Sequence, residues 1–184
     1  MATFHIAAIC GSLRQASYNR MALKAAIEVA PPELKIEIVE IRDVPLFDGD
    51  LFAKGFPASV TALREKIRAA DGVLFAAPEY NYSMTGVLKN AIDWVSRGTD
   101  QPLNEKPVAI ISATQGPLGG ARSQYDLRKV MLFVSALSLI KPEIFIGTAQ
   151  NKFDANGKLT DEPTRKIMGD QMIAFRDWIA RLKK

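Results

Sequence analysis

GVLFAAPEYNYS, residues 72 to 83, decides the fold. VLFAA at 73–77 is apolar at every position, and a strand without polar alternation needs cover on both faces, as a central parallel strand has. The chain then turns at once to Pro78, Glu79, Tyr80, Asn81 and Tyr82, residues that bind or turn rather than pack. Two other stretches repeat the pattern: VAIIS at 108–112 passes into a glycine-rich loop, and FHIAAIC at 4–10 passes into GSLRQASYN. Working outward, strands are expected at Thr3–Ile9, Ile36–Ile41, Gly72–Ala77, Val108–Ala113 and Glu143–Ile146. Helical patterns fall between and after them, at Asn19–Val29, Ala58–Ala70, Thr85–Arg97, Ser123–Leu139 and Glu162–Leu182. Five strands alternating with five helices predict an α/β protein with a doubly wound, five-stranded parallel sheet in three α/β/α layers. Residues 1–184 read as one domain, with no repeat or linker.

Composition narrows the function. Apolar residues make up 48% and charged residues 24%, with a formal net charge of +4. Basic residues form no dense stripe interleaved with aromatics, so a nucleic-acid partner is not expected, and an anionic small molecule fits the mild positive charge. Cys10 is the single cysteine, which excludes an internal disulfide and a multi-cysteine metal site. His5 is the single histidine and lies inside an apolar run, so histidine-based hydrolysis and metal chemistry are poorly supported. The first residues have no charged leader pattern, and VMLFVSALSLI at 130–140 is too short to cross a bilayer. A cytoplasmic protein without membrane contact is the expectation.

In an open α/β sheet the ligand lies outside the carboxyl ends of the strands. The loops after the first, third and fourth strands are therefore the candidates. The first, residues 11–19, lacks both G-x-G-x-x-G and the P-loop pattern. It offers instead Ser12, Arg14, Ser17 and Asn19 ahead of a helix, whose free N–H groups and dipole favour a phosphate. A terminal phosphomonoester suits this set better than a diester; a plain helix cap beside a surface arginine is the alternative. The second loop offers flat aromatic surface from Tyr80 and Tyr82 and backbone from Glu79 to Tyr82 for a planar ring edge, though tyrosines rim many clefts and Asn81 could simply close a turn. The third sets Thr114 and Gln115 beside Gly116, Gly119 and Gly120, either for close backbone approach to a ligand or as a mere turn.

GSLR-x-x-S-x-N at 11–19, PEYN at 78–81, the helix GVLKNAIDW at 86–94 and the glycine-rich loop together resemble the NADPH-dependent FMN reductases of flavodoxin-like fold. The likeness is greatest to the branch described as chromate or quinone reductases, and it runs over essentially the whole chain. The resemblance implies an FMN phosphate held by Ser12, Arg14, Ser17 and Asn19, with Leu13 also in the cofactor site. It implies an isoalloxazine ring against Glu79, Tyr80, Asn81 and Tyr82, with Pro78 opening that loop and Thr114 on the far side. NADPH or NADH would give hydride at flavin N5 and leave before a quinone, chromate or similar acceptor enters, a ping-pong scheme that needs no catalytic side chain and no metal. The rival readings are a flavodoxin-type electron carrier, a reductase that releases reduced flavin, and a nucleotide-binding module without redox chemistry.

Assembly is also expected. The helical pattern around Val130, Met131, Leu132, Phe133, Val134 and Leu137 is apolar nearly all round, and Val87, Leu88, Ile92, Trp94 and Val95 show a similar surplus. A surface helix needs only one apolar stripe, so a homodimer is predicted, with a homotetramer through Arg122, Tyr125 and Glu143 as the alternative to ordinary surface.

Overall fold

A computed structural model describes residues 2–183. Strand β1 (Phe4–Cys10) is followed by α1 (Tyr18–Val29), β2 (Leu34–Val39), the one-turn α2 (Gly49–Phe52), α3 (Ala58–Ala69) and β3 (Gly72–Ala76). The two-residue strands β4 (Glu79–Tyr80) and β5 (Ser83–Met84) precede α4 (Gly86–Val95) and β6 (Pro107–Ala113). The chain continues through α5 (Ala121–Phe133), β7 (Leu137–Ser138), β8 (Ile144–Ile146) and α6 (Glu162–Leu182). The sheet is parallel in the order β2-β1-β3-β6-β7, and β8 pairs with β6 farther along, so that β7 and β8 form a divided fifth strand. This is the flavodoxin-like order, whose switch point lies between β1 and β3.

Alternation along the central strands builds two cores, one on each face. Ile6, Ala8 and Cys10 of β1, Leu74 and Ala76 of β3, and Ala109 and Ile111 of β6 face α1 and α6. Ala7, Ile9, Val73, Phe75, Val108 and Ile110 face α3, α4 and α5. Alanines on both sides of one contact, Ala8 and Ala76 against Ala22 and Ala26, let α1 lie close to the sheet. The helices start where their caps are. Ser17, Thr85 and Asp161 accept backbone N–H groups of α1, α4 and α6, and Pro163 sits in the first turn of α6.

Two expectations need correction. The fourth long helix was expected to run to Leu139 but ends at Phe133. A Schellman closure stops it: Ser135 has φ +56°, its N–H donates to Leu132 O (3.2 Å), and Ala136 N–H donates to Met131 O (2.9 Å). Leu137 therefore lies in β7, not on a helix. The surplus on α4 is also used within the chain. Trp94 is fully buried, donates its indole N–H to Pro45 O (2.8 Å), and packs edge-on against Phe47 at 4.9 Å between centroids. The segment from Pro45 to Phe56 thus covers α4. Leu132, Phe133 and Ile140 remain 81%, 82% and 73% exposed.

The divided edge strand is bridged by glutamines from opposite faces. Gln124 Nε2 donates to Ile144 O (2.7 Å), and Gln171 Nε2 donates to Ile110 O (3.1 Å) and Pro142 O (2.8 Å).

Candidate functional site

At the carboxyl edge, between β1, β3 and β6, lies a cleft of ≈ 190 Å³. It is lined by Ser12, Arg14, Ser17, Asn19, Pro78, Glu79, Tyr80 and Thr114 of the expected site, joined by Tyr18, Ala113 and Gln115. Leu13, Asn81 and Tyr82 do not line it. Leu13 packs against the core on the α3–α5 side, and its carbonyl accepts from Arg42.

The 11–19 loop is fixed by its backbone and by its small residues. Gly11 N–H donates to Ala76 O (2.9 Å), and Gly11 O accepts the buried Thr85 hydroxyl (2.6 Å). A Cβ on Gly11 would stand 2.8 Å from Pro78 Cδ, so only glycine lets the first two loops touch here. Ser12 Oγ accepts Arg14 N–H (3.3 Å), and Ser17 Oγ caps α1 by accepting Arg20 N–H (3.4 Å). Asn19 is 3% exposed and clamps Ala113 from both sides, Nδ2 donating to its carbonyl (2.7 Å) and Oδ1 accepting its N–H (3.0 Å). One amide hydrogen of Asn19 remains for a ligand. Arg14 is exposed, and its guanidinium has no carboxylate or carbonyl partner among the described residues. The first N–H groups of α1, at Tyr18 and Asn19, have no intrahelical acceptor. Hydroxyls, a free cation and helix-start N–H groups form a donor set that suits a phosphate dianion.

The second loop is a β-hairpin. Glu79–Tyr80 pairs with Ser83–Met84, and the two turn residues, Asn81 (φ +50°) and Tyr82 (φ +71°), are both left-handed, as a type I′ turn requires. Neither is glycine, so the turn carries backbone cost, and its neighbours hold it. Ser123 Oγ donates to Pro78 O (2.8 Å). Arg122 N–H donates to Glu79 Oε2 (3.2 Å), its guanidinium pairs with Glu79 Oε1, and its guanidinium carbon lies 3.7 Å from the Tyr82 ring centroid. The Ser83 hydroxyl and the Lys129 ammonium hold the Asp126 carboxyl below its ordinary range. Tyr80 and Tyr82 are 58% and 71% exposed.

The glycine-rich loop borders a second recess of ≈ 400 Å³, which shares Glu79 and Thr114 with the first and adds Gly116, Pro117, Leu118, Gly120 and Arg122. Gly119 and Gly120 are explained within the chain rather than by a ligand. Gly119 (φ +60°) would place a Cβ 2.6 Å from Phe145 C, and Gly120 (φ +89°) would place one 2.7 Å from Ser112 Cβ. Gly116 has open space around it.

Sequence reasoning set Arg122 aside as a possible contact between subunits and missed its pairing with Glu79 beside the cleft. Only the glycines ahead of it marked the region, because an ion pair across 43 positions leaves no local signal. Burial pushes the Cys10 thiol pKa up, which keeps it protonated and a poor nucleophile. Among the described residues, no three His, Cys, Asp or Glu side chains gather as a metal site, and no helix is long and apolar enough to cross a membrane.

The chain is similar in sequence and fold to known proteins. Residues 4–151 match the family model for NADPH-dependent FMN reductase. The chain is 51% identical over 175 residues to an NAD(P)H-dependent FMN reductase of Pseudomonas aeruginosa, with 95% of each covered. It is 45% identical over 181 residues to a quinone reductase of Escherichia coli K12, covering 97% of this chain and 96% of that one. The solved structure of FerB, a flavoenzyme NAD(P)H:(acceptor) oxidoreductase from Paracoccus denitrificans, superposes with a TM-score of 0.89 at 36% identity, covering 97% and 98% of the two chains.

Proposed function

Because the chain belongs to the NADPH-dependent FMN reductase family, we propose how its own residues divide the work of binding and access. The protein is an oxidoreductase that uses FMN with NAD(P)H as donor. FMN, when bound, supplies the hydride acceptance and electron release that no side chain in the cleft can provide. The donor set fits it: a phosphate-binding set of donors at one end, and an open hairpin with an aromatic side chain at the other.

Ser12, Arg14, Ser17 and Asn19 hold the phosphate, Arg14 by charge and the others by hydrogen bonds and helix-start geometry. Pro78, Glu79, Tyr80, Asn81 and Tyr82 frame the ring, mainly by their backbone, and Thr114 closes the far side. Leu13 acts by packing the loop in place. Residues 1–184 act as a single FMN-binding domain.

Donor and acceptor use the same opening in turn, which supports a ping-pong order. The names of the relatives favour quinones as acceptors, and access without dedicated recognition suits chromate and other small oxidants as well. The exposed Leu132, Phe133 and Ile140 are the surface for a homodimer, with a tetramer as its extension, and a cytoplasmic site suits an NAD(P)H user.

The observation that carries this reading is the Arg14 guanidinium, without a partner among the described residues, in a cleft floored by the start of α1. The test is the visible spectrum of the purified protein under anaerobic titration. NADH or NADPH should bleach a bound flavin band and a quinone should restore it; a colourless protein, or a band that NAD(P)H leaves unchanged, would contradict it.

A further inference from the structure

Arg122 joins the base of the hairpin's first strand to its turn. Its N–H and guanidinium engage both oxygens of Glu79, whose side chain is 8% exposed, at the start of β4. The same guanidinium lies over the Tyr82 ring, on the second left-handed residue of the turn. Glu79 also sits at the positive end of α5, where its charge is favoured, so one carboxylate fastens the hairpin to helix and arginine together. A type I′ turn built without glycine needs such external fastening, and Arg122 supplies it from the first strand to the turn itself.

We propose that Arg122 is a positioning residue for the flavin ring: acting through Glu79 and Tyr82, it holds the 79–84 hairpin in the turn whose backbone borders the ring. The proposal rests on the reading that this hairpin borders the ring. Arg122 itself stands on the second recess, away from the phosphate-binding donors, so its influence falls on the ring end of the cofactor alone.

The experiment compares FMN and riboflavin binding, and the visible spectrum of the bound flavin, in the full chain carrying Arg122→Ala, Arg122→Lys or Asn81→Pro. Arg122→Ala should weaken both flavins by the same factor, about tenfold, and shift the long-wavelength flavin band. Arg122→Lys keeps the charge but not the planar fork, and should recover part of both; because it preserves the ion pair, it serves if the alanine variant folds poorly. Wild-type affinity and spectrum in both Arg122 variants, while Asn81→Pro loses flavin, would overturn the positioning role but leave the ring placement standing. Normal flavin binding by Asn81→Pro would overturn the ring placement and the proposal with it. A loss confined to FMN would also overturn it, by making Arg122 a phosphate ligand.

Discussion

The 11–19 loop and the 79–84 hairpin meet at one sheet edge, yet they hold their polar groups in opposite ways. In the loop, Ser12, Ser17 and Asn19 order the backbone, and Arg14 has no partner among the described residues. In the hairpin, Glu79 is taken by Arg122 and Pro78 O by Ser123. The first is a socket of side chains on a fixed frame; the second is itself the frame, with its backbone on offer. The phosphate end should therefore respond to which side chain is present, and the ring end to the path of the main chain.

The comparison breaks most severely at Asn81. Proline cannot adopt φ +50° and lacks an N–H, so Asn81→Pro should cost about 3 kcal/mol or more in the hairpin. Flavin retention through gel filtration checks this, and a variant that stays fully loaded would show that the hairpin is not a backbone frame. Gly11→Ala strikes where the two regions touch. Its Cβ would meet Pro78 Cδ at 2.8 Å and Ala76 O at 3.2 Å, and overpacking there should cost about 1–3 kcal/mol in urea unfolding. Unchanged stability would mean the regions are not in contact in solution.

Asn19→Ala removes a buried clamp on Ala113 and should cost the flavin-free protein about 1–2 kcal/mol. If Asn19 served the phosphate alone, flavin-free stability would not move. The smallest effect is expected at Tyr82. Tyr82→Gly relieves a left-handed φ of +71° while it loses the Arg122 stack, and these oppose each other, leaving thermal stability within about 1 kcal/mol of wild type. A large loss would mean that the tyrosine ring, not the backbone, carries the hairpin.

Much of this was legible because the signals were local. Unbroken apolar runs such as Val73–Ala77 announce central strands, and a polar loop straight after each places the cleft. What was not legible depended on partners distant in sequence or on backbone states that their residues rarely adopt. The end of α5 at Phe133 rests on Ser135 in a conformation that glycine usually marks. The burial of Trp94 depends on aromatics from residues 47–56, so its excess apolarity looked like an oligomer surface. Asn19 looked like a free donor because its bond to Ala113, 94 positions away, has no sequence signature. Arg122 and Glu79 were invisible as a pair for the same reason.

The most direct test of the division between socket and frame is calorimetric titration of FMN and riboflavin into flavin-free Arg14→Ala beside wild type. Riboflavin lacks the phosphate. FMN binding should weaken by about 1.5–3 kcal/mol while riboflavin binding stays at the wild-type value. Equal weakening of both flavins would contradict it, by showing that Arg14 supports the fold of the cleft and does not hold the phosphate.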